Sequence, residues 1–92
     1  MEPRNYFDLD WTKKRQVRED YVKYQKGLCH HCGHPLDQEP PKFIKKKWIN
    51  WGNFPKNFLR YPVHLHHNHN TGMTIGAVHS RCNAVLWQYH GE

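Results

Sequence analysis

Residues 63–83 have the sequence VHLHHNHNTGMTIGAVHSRCN. At the start of this segment Val63 and Leu65 alternate with histidines, which is the two-residue period of a β-strand with its apolar side chains facing the core. His64 and His66 are then expected on the opposite face. The remainder predicts three further elements, namely a turn at 70–72, a second strand at 73–78 and a helix at 80–90. The segment therefore predicts a β-hairpin followed by a helix.

Two pairs of metal-ligating residues share one short spacing. His79 and Cys82 are three residues apart, and Cys29 and Cys32 have the same spacing earlier in the chain. Together they make a tetrahedral Cys₃His set, which is an ordinary structural zinc site, and the hairpin between the pairs brings them together. The alternative is three unrelated buried thiols; a closed disulfide framework is excluded because three cysteines leave one over. Rival ligands of lower rank are His30 and His31.

The composition explains why a metal is needed. Leu, Ile, Val and Phe total 18 of 92 residues, just under the ~20% below which a charged chain is expected to be disordered. The 13 aromatic residues argue against disorder, since disordered chains contain few of them. Structural zinc supplies about 10–16 kcal/mol of apparent folding free energy. We therefore expect residues 1–92 to form one small zinc-stabilised α+β domain.

The charge balance indicates the class of partner. The net charge is +6 at pH 7 with histidine neutral, which favours a polyanion, and nucleic acid is the first candidate. No run of 18 apolar residues is present, so we expect no membrane span. The N-terminal residues lack the apolar stretch of a signal peptide. Metal-binding thiolates fit a reducing compartment, so a cytoplasmic location is expected.

The N-terminal part predicts a helix behind a loose arm. Residues 1–9 are expected to be flexible, and Asp10 can cap a helix over residues 11–26 that Gly27 ends. An apolar stripe at helical spacing consists of Val17, Tyr21, Tyr24 and Leu28. The first half of the helix is crowded with positive charges at Lys13, Lys14, Arg15 and Arg18. These charges oppose the helix dipole, so they form either a solvated face or a set of phosphate contacts.

Residues 37–62 predict a long irregular basic loop. A structureless segment of this length is uncommon and is often functional. Basic residues interleaved with aromatic residues are typical of a nucleic-acid groove or stacking surface. Alternatively, the aromatic residues fill the small core and the lysines keep the chain soluble. The candidate DNA-binding residues, with Arg15 and Arg18 of the helix, are Lys45, Lys46, Lys47, Trp48, Trp51, Lys56 and Arg60.

Four histidines lie within six residues of the predicted hairpin. They are His64, His66, His67 and His69. So many imidazoles on one strand are hard to explain as core residues, whereas histidine serves near neutral pH as a general base or a metal ligand. Asn83 follows Cys82 directly and can extend its amide oxygen back to the hairpin. Such a ββα unit suits one divalent ion with coordination positions left open to phosphate and water.

At this point the sequence resembles a known family. Residues 64–72, HLHHNHNTG, followed by residues 76–83, GAVHSRCN, are similar to the His-Me finger (HNH, ββα-metal) endonucleases. The likeness is greatest to those of the recombination endonuclease VII type, and it extends to the C-x-x-C-G-x-x-L pattern at residues 29–36. The resemblance implies a metal-dependent DNA endonuclease that leaves a 5′-phosphate and a 3′-hydroxyl.

The resemblance also implies a role for each matching position. His67 matches the general base that activates water, while His66 and Asn83 match the ligands of the catalytic ion. His64 and His69 match flanking histidines that contact phosphate or steady the site. Cys29, Cys32 and Cys82 match three of the four cysteines that hold the structural zinc, and the fourth ligand here is His79, where cysteine is usual. Position 66 is commonly aspartate in this branch, so the imidazole favours Mn²⁺ or Ni²⁺ over Mg²⁺ as the ion.

Two other functions compete with the nuclease hypothesis. A non-catalytic zinc module that binds nucleic acid needs only the four zinc ligands and the basic loop, but it leaves the histidine cluster and Asn83 without a role. A zinc-stabilised protein-interaction domain fits the positive charge least well. For the nuclease we expect low sequence specificity and a monomer or homodimer. The resemblance further suggests a phage or other mobile-element origin, with action in the host-cell cytoplasm.

Overall fold

The computed structural model describes residues 1–91, which form a small α+β fold. Its regular elements are α1 (Trp11–Tyr24), α2 (Lys42–Lys45), β1 (Val63–His67), β2 (Thr74–His79) and α3 (Ser80–His90), with 3₁₀ turns at Tyr6–Asp8 and Trp51–Asn53. The predicted β-hairpin followed by a helix is therefore confirmed. Within residues 1–91 no helix has the length and apolar character that crossing a bilayer requires.

The hairpin pairs β1 with β2 in antiparallel register. Val63 lies opposite His79 and His66 lies opposite Gly76, and the register shifts between His66 and His67. Asn68 closes the turn, since its side chain accepts hydrogen bonds from the two backbone N–H groups of residues 70 and 71. His79 ends β2 and leads directly into α3. The pairing therefore sets the start of α3 beside the start of β1.

Val63 and Leu65 of β1 pack against the core as predicted, but the predicted placing of His66 on an exposed polar face is wrong. His66 is buried, with only 3% of its surface exposed, and on the partner strand Ala77 and Val78 are fully buried. Consecutive strand residues point to opposite faces, so burial of both Ala77 and Val78 means that both faces of β2 are covered. Both strands contact α1 and α3. The hairpin is thus packed on both faces, although His66 is the one buried residue of β1 and the others are half-buried.

Helix α1 begins as predicted and ends two residues early. The side chain of Asp10 accepts a hydrogen bond from the Lys13 backbone N–H at 2.9 Å. After Tyr24 the chain turns through Lys26 and Gly27, both with positive φ, and the Gly27 N–H donates to the carbonyl of Val22 at 2.8 Å. This is the left-handed termination common at helix ends. Of the predicted stripe, Val17 and Tyr21 are buried, but Tyr24 and Leu28 are exposed.

The N-terminal residues were expected to form a loose arm, but residues 4–9 pack on the hairpin. The Thr74 N–H donates to the Arg4 carbonyl at 2.8 Å, and the Tyr6 N–H donates to the Gly72 carbonyl at 2.7 Å. Leu9 is buried in the core. A Cβ at Gly72 would lie 2.7 Å from the ring of Phe7, so this close approach requires glycine. The segment occupies part of a strand edge that the two-stranded hairpin leaves open.

Residues 37–62 are largely irregular, as predicted, but they are anchored at several points. Ile44 of α2 and Ile49 are buried in the core. The carbonyl of Trp48 accepts hydrogen bonds from Gln88 at 2.9 Å and from the Tyr89 hydroxyl at 2.6 Å. These contacts hold the segment around Trp48 against the C-terminal end of α3.

Candidate metal centre and histidine groove

The predicted zinc ligands come together in one cluster. The ligand atoms of Cys29, Cys32, His79 and Cys82 all lie within 4.8 Å of one another. His79 Nδ1 is 3.4 Å from the Cys32 sulfur and 3.7 Å from the Cys82 sulfur. Zinc bonds of ordinary length at tetrahedral angles place such a nitrogen and sulfur about 3.6 Å apart. The four side chains therefore form a cluster that can hold zinc, and the rival ligands His30 and His31 are not part of it.

The first cysteine pair lies on a tight knuckle next to β2. The Cys29 N–H donates to the His34 carbonyl at 2.8 Å, and the Gly33 N–H donates to the Cys29 carbonyl at 2.9 Å. Gly33 has φ 76°, which glycine adopts without steric cost. The His30 N–H donates to the Ala77 carbonyl of β2 at 3.0 Å. The knuckle is thereby fixed beside the strand that ends at His79.

Hydrogen bonds orient the ring of His79 for metal binding. Its Nε2 lies 2.9 Å from the Pro35 carbonyl and 3.0 Å from the Gln38 carbonyl. Two acceptors at this nitrogen require that Nε2 carry the proton and donate it. The lone pair of Nδ1 then faces the sulfurs, which is the tautomer that a metal needs, and carbonyl partners of this kind are usual behind metal-bound histidine. The cluster therefore fits zinc in its donor chemistry as well as in its spacing.

The three thiols share protons unequally in the absence of metal. A hydrogen bond from Cys82 lowers the pKa of Cys29 to about 4, and backbone hydrogen bonds act in the same direction. The pKa of Cys82 is raised by that same bond and by burial, and burial raises the pKa of Cys32. Zinc binds thiolates, so loading the cluster must release protons from Cys82 and Cys32. Metal affinity will accordingly fall as the pH is lowered.

Gln25 joins the knuckle to β2, a role that the sequence analysis missed. Its Nε2 donates to the Leu28 carbonyl at 2.7 Å and to the Ala77 carbonyl at 2.9 Å, while its Oε1 accepts from the Ala77 N–H at 2.8 Å. A Cβ at Gly76 would lie 2.8 Å from the Gln25 oxygen, so glycine is needed there too. No local pattern marks a glutamine for a partner 52 residues away.

A second site lies in a cavity of about 910 Å³ between α1, residues 53–61, β1 and the start of α3. Its lining includes His64, His67, His69 and Asn83, four of the five residues predicted for the catalytic centre. We name this cavity the histidine groove. Arg15 and Arg18 of α1 also line it. The fold thus brings the predicted base, both flanking histidines and the amide to one surface.

His67 is the central ring of an aromatic stack. Its imidazole lies parallel to the Tyr6 ring at a centroid distance of 3.8 Å and parallel to the His69 ring at 4.7 Å. The Nζ of Lys14 lies 4.0 Å from the centre of the Tyr6 ring. Burial lowers the pKa of His67 to about 4, with smaller contributions from the charges of His69, His66 and Lys14. The ring is therefore neutral at pH 7, as a general base must be.

His64 and Asn83 are in direct contact. The amide Nδ2 of Asn83 lies 3.1 Å from His64 Nδ1, so the amide donates and the ring nitrogen accepts. The His64 ring also packs edge-on against Phe58, with the centroids 4.8 Å apart. Burial lowers the pKa of His64, and the positive charge of Arg18 adds to the effect, so the neutral ring is favoured.

His66 does not share the groove with Asn83. It is buried beside a smaller cavity of about 240 Å³, whose lining includes His30, His31 and Leu86. The reason is the register of β1 against α3. Asn83 lies in the first turn of α3 and meets His64, whereas His66 is two residues further along the strand and lies near Leu86, one helical turn later. Asn83 thus contacts His64, and the expectation that His66 and Asn83 hold one ion stays a prediction.

The predicted DNA-binding residues divide into those that line the histidine groove and those that do not. Arg15 and Arg18 line the histidine groove, whereas the candidates of the loop do not. Lys45 forms an ion pair with Glu39 at 2.9 Å, and the ammonium group of Lys47 lies 5.1 Å from the centre of the Tyr89 ring. The other loop candidates are exposed, and they are Lys46, Trp48, Trp51, Lys56 and Arg60. The exposed candidates of the loop thus lie outside the lining of the groove.

Comparison of the chain with models of protein families, with curated proteins and with solved structures gave no match.

Proposed function

We propose that the protein is a metal-dependent DNA endonuclease of the His-Me finger (HNH) type, which hydrolyses phosphodiester bonds with low sequence specificity. The observation that supports this most is the gathering of His64, His67, His69 and Asn83 in one groove with Arg15 and Arg18. General base, amide ligand and phosphate-binding cations are the parts that such a reaction needs. The products would carry a 5′-phosphate and a 3′-hydroxyl.

In this proposal His67 is the general base. The ring is neutral at pH 7 and is held between Tyr6 and His69, so it can accept a proton from a water molecule that attacks phosphorus. His69 forms the outer ring of the stack and is exposed at the groove, where it can contact the phosphate. The guanidinium groups of Arg15 and Arg18 would hold the strand in place through its phosphates.

The catalytic ion, when bound, would stabilise the charge on the leaving 3′ oxygen. Asn83 and His64 would hold this ion. Their contacting atoms, the amide Nδ2 and the ring Nδ1, are 3.1 Å apart, and the amide would turn its oxygen toward the ion. His66 would support β1 from its buried position instead of ligating the ion. An imidazole ligand favours Mn²⁺ or Ni²⁺ over Mg²⁺. Zinc at the cysteine cluster would be structural and would take no part in the reaction.

The proposal is tested by nicking of supercoiled plasmid in Mn²⁺, Mg²⁺ or Ni²⁺, and without added metal. We expect His67→Ala to reduce cleavage by about 10²–10⁴-fold, the usual contribution of a positioned base. The matched control is His90→Ala, an exposed histidine at the end of α3 that does not line the groove. It should cleave like the wild type. Near-wild-type cleavage by His67→Ala would refute the assignment of the base.

Metal titration separates the ligands from the base. Raised Mn²⁺ should partly restore cleavage to His64→Ala and Asn83→Ala, because these changes weaken binding of the ion. It should not restore His67→Ala. A protein that binds DNA but fails to cleave it in any of the three metals would instead be the non-catalytic zinc module. The exposed basic residues of the loop would then account for its DNA binding.

A further inference from the structure

The histidine groove has an aromatic side that the proposed chemistry does not use. Trp11, Tyr61 and Trp87 line it, and 75%, 59% and 41% of their surfaces respectively are exposed. Phe54 and Phe58 line it as well and are half-buried, with Phe54 packed against Trp87 at a centroid distance of 5.1 Å. Flat apolar rings so exposed in one cavity are unusual in a monomeric protein and mark a binding surface.

The same groove has a cationic side formed by one face of α1. Lys14, Arg15 and Arg18 all line it, and they follow Trp11 at helical spacing. The carboxylate of Glu19 also lines the groove, where it pairs with Arg15 at 3.4 Å. Three cations and one carboxylate leave this side positively charged. The groove therefore offers a positive side for phosphates and flat rings for bases.

From this pairing of surfaces we infer that the groove binds an unpaired DNA strand and favours it over duplex DNA. Bases stack on the rings of Trp87, Tyr61 and Trp11 while the phosphates lie along the cations of α1. Bases within a duplex are stacked on one another and cannot present their faces to protein rings. This inference rests on the proposed function, because the bound strand would also contact the histidines. It specifies the class of substrate, namely unpaired DNA.

The first test compares single-stranded and duplex DNA by fluorescence anisotropy. The wild-type chain, loaded with zinc and without other divalent ions, is titrated with a labelled 12-nucleotide strand and with the same strand in a blunt duplex. We expect Kd for the single strand to be at least about tenfold lower, with quenching of tryptophan fluorescence, since each stacked base contributes about 5- to 150-fold. Equal affinity for both forms, or tighter binding of the matching RNA strand, would overturn the inference.

The second test uses tryptophan and tyrosine variants. Tyr61→Ala and Trp87→Ala should each weaken binding of the single strand by at least about fivefold and leave duplex binding nearly unchanged. The matched control is Tyr24→Ala, since Tyr24 is 65% exposed and does not line the groove. Tyr61 is the more exposed of the two groove residues, so its variant remains informative if Trp87→Ala unfolds. Equal losses for Tyr61→Ala and Tyr24→Ala would contradict the inference.

Binding and cleavage fail separately in these experiments. If the protein prefers the single strand but does not cleave DNA in any metal tested, the groove assignment is supported and the nuclease proposal is rejected. Metal-dependent cleavage without that preference would reject the groove assignment and leave the nuclease proposal standing.

Discussion

Replacing Gln25 with alanine should destabilise the fold although the side chain touches neither metal nor groove. The substitution removes three hydrogen bonds, of 2.7, 2.8 and 2.9 Å, to the backbone of Leu28 and Ala77. Ala77 is fully buried, so its N–H is left without an acceptor at a cost of about 1–3 kcal/mol. Its carbonyl keeps the bond from the His30 N–H, and the Leu28 carbonyl can turn to water. The expected loss is therefore about 2–4 kcal/mol.

Thermal and urea unfolding of the zinc-loaded protein measure this loss. For a domain of this size, about 1 kcal/mol corresponds to about 4–8 °C in Tm, so a decrease of at least about 8 °C is expected. Gln16→Ala is the matched control, because Gln16 lies on the same helix and bonds only to Asp20 at an exposed site. That control should stay within about 0.5 kcal/mol of the wild type.

Gln25→Glu sharpens the test. The carboxylate keeps the size of the side chain and its acceptor for the Ala77 N–H, but it replaces the donor that faces two carbonyl oxygens. It should destabilise at least as much as alanine, which a role in packing alone would not predict. The reasoning fails if Gln25→Ala changes stability no more than Gln16→Ala, or if Gln25→Glu behaves like the wild type. Zinc content should stay constant throughout, since all four ligands are retained.

Three further predictions concern the metal, the base and the loop. Cys82→Ala should abolish cooperative thermal unfolding, because a ligand is lost from the cluster and with it most of the folding free energy that zinc supplies; an unchanged melting curve, with and without chelator, would exclude a structural metal. The lowered pKa of His67, about 4 in place of the 6.5 of a free histidine, keeps the base neutral in mildly acidic solution, so nicking should persist at pH 5 and fail only toward pH 4; a decline centred near pH 6 would contradict the burial of the ring. The same shift makes folding less stable in acid, because the unfolded chain takes up a proton at His67 at a higher pH than the folded chain does. The contribution of His67 to the free energy of unfolding is therefore complete above pH 6.5 and is lost as the pH falls toward 4. Replacing Lys45, Lys46 and Lys47 together with glutamine should weaken binding equally for every DNA sequence and reduce the salt slope of log K by up to about 0.9 per lost phosphate contact; an unchanged slope would mean that these lysines are only a solvated patch.

The parts of the fold that were predicted correctly depend on short-range patterns. The alternation in β1, the glycine at the turn and the cap at Asp10 each involve residues a few positions apart, and the structure has the hairpin and helices they predict. The zinc cluster was predictable because each of its halves is a local pair with a spacing that suits one ion. Only the joining of the two halves required the fold.

The features that were missed depend on contacts between distant parts of the chain. The pairing of Asn5 with Met73 uses backbone groups, which leave no mark on the side-chain pattern, so the N-terminal segment looked like an arm. The burial of His66 follows from covering both faces of the hairpin, whereas a single strand period assumes one exposed face. Which histidine of β1 lies beside Asn83 depends on the position of α3 along the strand. No local residue pattern encodes that position.

His79 and Cys82 make the first turn of α3 part of the metal cluster, so a rearrangement of the cluster that tilted the helix would rotate it about this end. In such a tilt, residues farther from the cluster along the helix axis move farther. Trp87 is five residues beyond Cys82, or about 7.5 Å along the axis, so a tilt of about 10° would move it by about 1.3 Å. Asn83, next to the cluster, would hardly move. Strain at the cysteines would thus alter the aromatic side of the groove while its amide stayed beside His64.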